Sequence, residues 1–311
     1  MQKKHFIEAV NYNSAQGEIP MFGPGWEKEE RQFRNDIKDQ IKTNLQVETQ
    51  EELDNHAKTL VQQGHFLCLA ESEKSHAVWK SYLYNLKHGT MKFLLNSVID
   101  TLPTGANLTR WNKSSSDKCK LCKNRETTLH ILNGCKKALN DGRYTWRHNS
   151  IINYITSCLD NSKYVVRTDL PGNPSKTLPP EMIVTNLIPD VVIVDEKKKN
   201  VAIFELTAPF ETNIKARHEQ KSDKYAHFVT DITTHKAEVE AFEIGSRGYI
   251  SPDNESRLKK LHKFCKPDVK FKTFRENISV LSFYCSFHIF LCRKDMDWTA
   301  PPYLKQPFSA K

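Results

Sequence analysis

Cys119, Cys122, His130 and Cys135 fall within seventeen residues at the spacing C-x2-C-x7-H-x4-C. No other feature constrains the chain as tightly. Two cysteines three apart can place both thiolates on one ion from a single tight turn. A histidine and a third cysteine on a following short helix then close a tetrahedral Cys3His set. Such a set holds Zn²⁺ with no open position, so it is structural rather than catalytic. A segment this short and polar has little core of its own and folds around the metal. The other reading, unrelated cysteines on a lysine-rich loop, requires four ligands to fall at knuckle spacing by coincidence.

Residues 113–147 around the cluster hold nine basic against three acidic residues, a local balance of +6. Lys118, Lys120, Lys123, Arg125, Lys136, Lys137 and Arg147 are the expected nucleic-acid contacts there. A second basic stretch, 257–275, has eight basic residues against Asp268 alone, +7. The 311-residue chain carries 46 Lys+Arg and 37 Asp+Glu, +9 overall, so the remainder is mildly acidic. Two basic stretches on either side of the carboxylates described below suit a phosphate backbone better than diffuse basicity would. DNA is the expected partner, with RNA a second, and no membrane.

Several classes fall away. The N-terminal Met1–Ile7 segment has no apolar run behind its lysines, so a secretory signal is not expected. The longest apolar stretch, Val280–Cys292, is interrupted by Ser282, Ser286 and His288 and is too short to span a bilayer. No phosphate-cradling Gly-rich loop, HExxH helix or GxSxG elbow occurs. The eight cysteines are not spaced as a disulfide framework, which points to a reducing, intracellular setting. The remaining Cys68, Cys158, Cys265, Cys285 and Cys292 read as buried thiols.

The order of elements suggests an α/β protein. Residues 1–50 read as a polar irregular segment, with a helix beginning in the charged run Trp26–Lys42, and residues 51–112 as helical. Within 76–100, apolar residues from Trp79 and Tyr82 to Ile99 recur at three- and four-residue spacings. The knuckle occupies 113–147, and a domain of helix and strand follows over 148–311. In that domain a helix is expected over 147–160, a strand at 164–166 and two strands within 190–205. A long polar helix over 213–236, a strand over 238–250 and helices over 254–264 and 274–291 complete it.

The strands Val191–Val194 and Val201–Phe204 are joined by Glu196-Lys197-Lys198-Lys199-Asn200. If they form a hairpin closing at Lys197-Lys198, Asp190 lies opposite Glu205 with both carboxylates on one face. A loop one residue longer breaks that match. Paired acids at the mouth of an apolar hairpin repel and are costly to desolvate, and Mg²⁺ or Mn²⁺ would relieve both. The same two residues also read as ordinary strand-end acids. The following helix carries His218, Lys221 and Tyr225 on one face. A lysine beside a metal-bound water can orient it or stabilise charge on a phosphate.

Taken in order, the residues resemble the C-terminal part of site-specific non-LTR retrotransposon proteins. There a zinc knuckle precedes a restriction-like endonuclease of the PD-(D/E)XK superfamily. The resemblance spans about residues 80–265 and rests on Leu102-Pro103-Thr104, Leu108-Thr109-Arg110-Trp111, the knuckle, Arg147-His148-Asn149, Pro189-Asp190, Glu205, Lys221, Lys224-Tyr225 and Gly245-Ser246-Arg247-Gly248. It implies an αβββαβ restriction-endonuclease-like domain in which Asp190 and Glu205 hold a catalytic Mg²⁺ or Mn²⁺. Lys221 would be the helix-borne catalytic lysine and Tyr225 the tyrosine beside the site, while His148 and Lys224 would contact DNA in a nuclear setting. Asn149 stands where the family shows Asp, and Thr207 where a strand lysine would stand. The chain has no Asp-Asp pair, which a reverse transcriptase requires. The expected activity is metal-dependent DNA endonuclease. The alternative is a nucleic-acid-binding module whose nuclease site has degenerated.

Overall fold

From Lys28 to Thr59 the sequence contains neither Gly nor Pro and is dominated by Glu, Gln, Lys and Asp, all compatible with a continuous helix. That stretch is one helix of 32 residues, α1 (Lys28–Thr59). The helix expected to begin within Trp26–Lys42 is therefore present and continues to Thr59. Pairs one turn apart, such as Gln50 Nε2 donating to Asp54 Oδ1 at 2.7 Å, support it. The structure, a computed structural model, describes residues 28–60, 83–173 and 177–303. The expectations for 1–27 and 61–82, including Cys68, Trp79 and Tyr82, fall outside the described residues. The chain divides into two compact units, Met1–Gly64 and His65–Lys311.

In the second unit, α2 (His88–Val98) buries Phe93 and Leu94 and stops before Asp100, whose φ is +50°. Thr104 caps α3 (Gly105–Arg110) by accepting from Asn107 N at 3.2 Å. The Asn107 amide donates to Asp100 O and Leu102 O at 2.8 and 2.9 Å. The Leu-Pro-Thr segment is thus a stitched corner between helices. A π-type turn over His130–Gly134 leads through Cys135 into α4 (Lys136–Asn140), and Gly142, at φ +78°, turns the chain into α5 (Arg143–Cys158).

Four strands follow: β1 (Val165–Thr168), β2 (Val191–Asp195), β3 (Asn200–Thr207) and β4 (Lys236–Glu243). They form one mixed sheet in the order 1-2-3-4, with β1–β2 and β2–β3 antiparallel and β3–β4 parallel. Val191 pairs with Phe204 and Asp195 with Asn200, so the hairpin has the register that sets Asp190 against Glu205. Its turn is closed by Asp195 Oδ1, which accepts from Lys198 N, and by Lys199 at φ +52°.

The parallel connection requires a crossover, supplied by α6 (Ile214–Tyr225) and α7 (Phe228–Asp231). The single polar helix expected over 213–236 is therefore two helices. The break lets Tyr225, Phe228 and Ile232 all pack against Val192, Val194, Val201 and Ile203. The opposite face, with Val191, Ile193, Phe204, Leu206 and Phe242, is covered by α5, α8 (Pro252–His262) and α9 (Phe271–Leu291). Burial of both faces explains why β2 is apolar at four consecutive positions rather than alternating. β4 ends at Glu243, earlier than the expected 250, because its partner β3 ends at Thr207, and a turn over Gly245–Gly248, with Gly248 at φ +83°, then leads toward α8.

Beyond α9 the chain folds back over α5. Arg143 donates to Cys292 O and Asp295 O at 2.6 and 2.7 Å, and Trp146 Nε1 donates to Pro301 O at 2.8 Å. Cys158 and Cys285 are buried, whereas Cys265 and Cys292 keep partial access to solvent. Among the described residues no helix is long and apolar enough to cross a membrane.

Candidate functional site

The first cysteine turn is a short, tightly closed loop. Cys119 N donates to Asn124 O at 2.7 Å, Lys123 N donates back to Cys119 O at 3.0 Å, and an isolated bridge joins Lys118 and Arg125. Lys123 takes φ +63° to make this closure. His130 begins the π-type turn and Cys135 ends it, so the second pair of ligands is also set by one local element. Tyr144 fixes that turn from α5: its hydroxyl accepts from Cys135 N at 3.0 Å and donates to Ile131 O at 3.0 Å.

The ligand atoms of Cys119, Cys122, His130 and Cys135 all lie within 4.8 Å of one another. Burial pushes the Cys119 thiol up and the Cys135 thiol up to about 12, and it lowers His130. Buried thiols of this kind ionise when a soft-accepting cation supplies the missing charge, which is the demand of a Cys3His zinc site. These four residues form a zinc-binding site, as their spacing leads one to expect.

At the far end of β3 lies a second convergence. Asp190 and Glu205 are both buried, and Asp190 N donates to Glu205 Oε2 at 3.2 Å. Asp190 Oδ2 accepts from Leu206 N at 2.7 Å and lies 3.1 Å from His148 Nε2. Lys221, from α6, forms a direct ion pair with Glu205 Oε1. Burial raises the Glu205 pKa, the Asp190 carboxylate adds to that rise, and Lys221 opposes both. Burial disfavours a charged His148, yet the Asp190 carboxylate and its hydrogen bond outweigh this and push the imidazole up to about 9. Two acids therefore face two cations. As a donor set, the carboxylates fit a hard divalent ion with water completing its shell. Among the described residues no third acid joins them in a ligand cluster.

Tyr225 is a core residue whose phenol is held protonated by burial and by the nearby Glu205 and Asp190 carboxylates. Lys224 is exposed and donates to the Tyr225 hydroxyl at 3.0 Å. His218, on the same helix face as Lys221, meets Glu243 at the end of β4 rather than Glu205. Asn149 turns its side-chain oxygen to His148 Nδ1 at 3.0 Å.

The expected nucleic-acid contacts separate sharply. Lys118, Lys120, Lys123, Arg125 and Lys136 are exposed, with Lys118 and Arg125 sharing Asp117. Lys137 is tied to Asp141 at 2.8 Å. Arg147 is corrected: it is 1% exposed, and its guanidinium is spent on Leu132 O, Ser286 Oγ and Ala208 O. Helical periodicity could have revealed this, since 143, 147, 151, 154 and 158 share the apolar face of α5. His148 likewise spends its ring on Asp190. The Gly-Ser-Arg-Gly segment is also internal: Arg247 pairs with Glu211 at 2.7 Å and donates to Ser97 O at 2.9 Å. A Cβ on Gly245 would lie 2.6 Å from Glu211 Oε1, so that ion pair requires glycine there.

The second basic stretch meets the carboxylate end of the sheet at Arg257, which reaches His218 beside Glu243, while its later part lies elsewhere. Lys266 N donates to Cys158 O, and Tyr164 meets Phe264 edge-on, beside the start of β1. Val165 there pairs with Val194, at the hairpin end of the sheet, whereas Asp190 marks the other end. Within the stretch, Lys259 and Arg275 pair with Glu255, and Lys260 pairs with Glu240.

A local Cys3His site built into a small helical and turn segment defines a structural zinc module. Residues 58–140 match the family described as zinc-binding in reverse transcriptase, and the four gathered ligands lie inside that match. The chain carries a zinc-binding module of that retrotransposon-related kind. No curated protein matches the chain.

Proposed function

We propose that the α/β portion is a metal-dependent DNA endonuclease of the restriction-like PD-(D/E)XK type, served by the zinc module as a nucleic-acid-binding element. The carrying observation is that Asp190, Glu205 and Lys221, from three separate elements, meet at one end of the sheet. The element order helix, three strands, helix, strand supports the restriction-like reading. Asp190 and Glu205 would hold Mg²⁺ or Mn²⁺, which when bound lowers the pKa of water and offsets charge on the phosphate. Lys221 retains 27% side-chain exposure, enough to reach a phosphate oxygen or a water once it leaves Glu205. His148 keeps Asp190 oriented, and the Tyr225 hydroxyl backs Glu205. Lys118, Lys120, Lys123, Arg125, Lys136 and Lys224 would hold the polynucleotide backbone through charge.

Nicking of supercoiled plasmid in Mg²⁺ tests this. Wild type is expected to nick, while Asp190→Ala and Glu205→Ala lose cleavage by at least about 10²-fold. Equal nicking by all three proteins would sink the mechanism.

One observation favours a second reading, a binding module with a degenerate nuclease site. Each carboxylate is already neutralised by an internal cation, and Asn149 gives the pair no third acid. Binding whose affinity falls steeply with salt, without Mg²⁺-dependent cleavage, would select this reading.

A further inference from the structure

Arg147 is fully enclosed, yet among the described residues no carboxylate lies within ion-pair distance of it. A buried guanidinium persists only where fixed acceptors replace its hydration. Its acceptors come from three places. Nη1 donates to Leu132 O at 3.0 Å, inside the turn between the ligands His130 and Cys135, and to Ser286 Oγ of α9 at 2.9 Å. Nη2 donates to Ala208 O at 2.8 Å, directly after β3. Asn133, also inside the zinc turn, donates its amide to the same Ala208 carbonyl at 2.9 Å. Tyr144, whose ring lies under the guanidinium at 5.6 Å, bonds the same turn.

The exit of β3 is therefore pinned twice to the zinc turn. Two residues earlier, Leu206 N holds Asp190 Oδ2, and one residue before that stands Glu205 itself. On α5 the neighbouring His148, about 100° further round the helix, reaches Asp190. We infer that Arg147, with Asn133, is a positioning residue coupling the zinc turn to the Asp190–Glu205 end of the sheet. Zinc loss would then loosen the carboxylates without any ligand of that metal touching them. The catalytic weight of the coupling rests on the endonuclease reading; the coupling itself does not.

Amide hydrogen exchange on the full chain provides the test, with zinc present and after its removal by a chelator. Stripping zinc should raise exchange at least tenfold in both 130–135 and 203–208, while β1 and 192–194 change less than twofold. Arg147→Met should retain zinc yet show the same loosening of 203–208. Opening of 130–135 with 203–208 still protected would overturn the coupling, and so would a uniform rise across the whole sheet. Should Arg147→Met not fold, Asn133→Ala decides: increased exchange at 203–208 supports the coupling, and unchanged exchange overturns it. Nicking assays on the same samples separate the two ideas. A wild type that never nicks removes the endonuclease reading and leaves the exchange result standing.

Discussion

The zinc turn and the carboxylate end of the sheet are both clusters of ionisable groups, but they solve their electrostatics in opposite ways. At the zinc turn, burial drives the thiols toward neutrality and, among the described residues, no cationic side chain answers them, so the cluster depends on an added cation. At the sheet end, the same burial is answered from within by His148 and Lys221. The first is incomplete without metal, whereas the second holds its shape without one. Any divalent ion at Asp190 and Glu205 must therefore compete with resident cations, while zinc competes only with protons.

The largest expected effect comes from breaking the metal-dependent side. Cys119→Ser or Cys135→Ser should reduce bound zinc from about one per chain to none, since structural zinc supplies on the order of 10 kcal/mol. Elemental analysis and a thermal melt would check this. The next effect comes from a charged tie that belongs to neither cluster. Glu211→Ala removes the carboxylate that faces the buried Arg247 guanidinium and should cost roughly 3–5 kcal/mol in denaturant unfolding. An effect below about 1 kcal/mol would mean that this pair is not a fixed point of the fold.

A pH titration sharpens the self-neutralised side. The His148 pKa is raised in the folded state, so its contribution is complete below about 6.5. It is lost as pH rises through about 9. Wild type should lose stability over that window in Mg²⁺-free buffer, and His148→Gln should lose less. Parallel curves for the two proteins would contradict the assignment. The smallest effect concerns turns. Lys199→Gly relieves a left-handed lysine in an open hairpin and should stabilise by about 0.5–1 kcal/mol. Lys123→Gly, in a turn already fixed by zinc, should change zinc-bound stability less.

The two clusters also differ in how far the sequence discloses them. The zinc ligands lie within one short segment, so spacing alone identifies them. Asp190 and Glu205 could be paired because hairpin register is a counting problem, and the loop proved to have the length that the count requires. The partners of those acids were harder to see. His148 lies 42 residues from Asp190, and only the packing of α5 beside the sheet brings them together. Arg147 looked like a surface cation because charge was counted along the chain rather than around the helix. Beyond Arg257 the second basic stretch was misplaced for a related reason: linear order around a site says nothing about which end of a sheet each segment meets. The helix in the charged run after Trp26 was legible because that run lacks Gly and Pro, and polarity alone does not prevent helix formation.

The return of the chain over α5 has a practical consequence for where the protein can be cut. A boundary drawn just after Leu291 would look natural, because it falls at the end of a long helix. It would also remove the carbonyls of Cys292, Asp295 and Pro301, leaving Arg143 with Asp141 as its remaining acceptor and the Trp146 indole N–H with none. Such a fragment would keep every ligand and every carboxylate discussed above and still fold poorly. Residues 292–303 therefore belong to any expressible unit of the α/β portion.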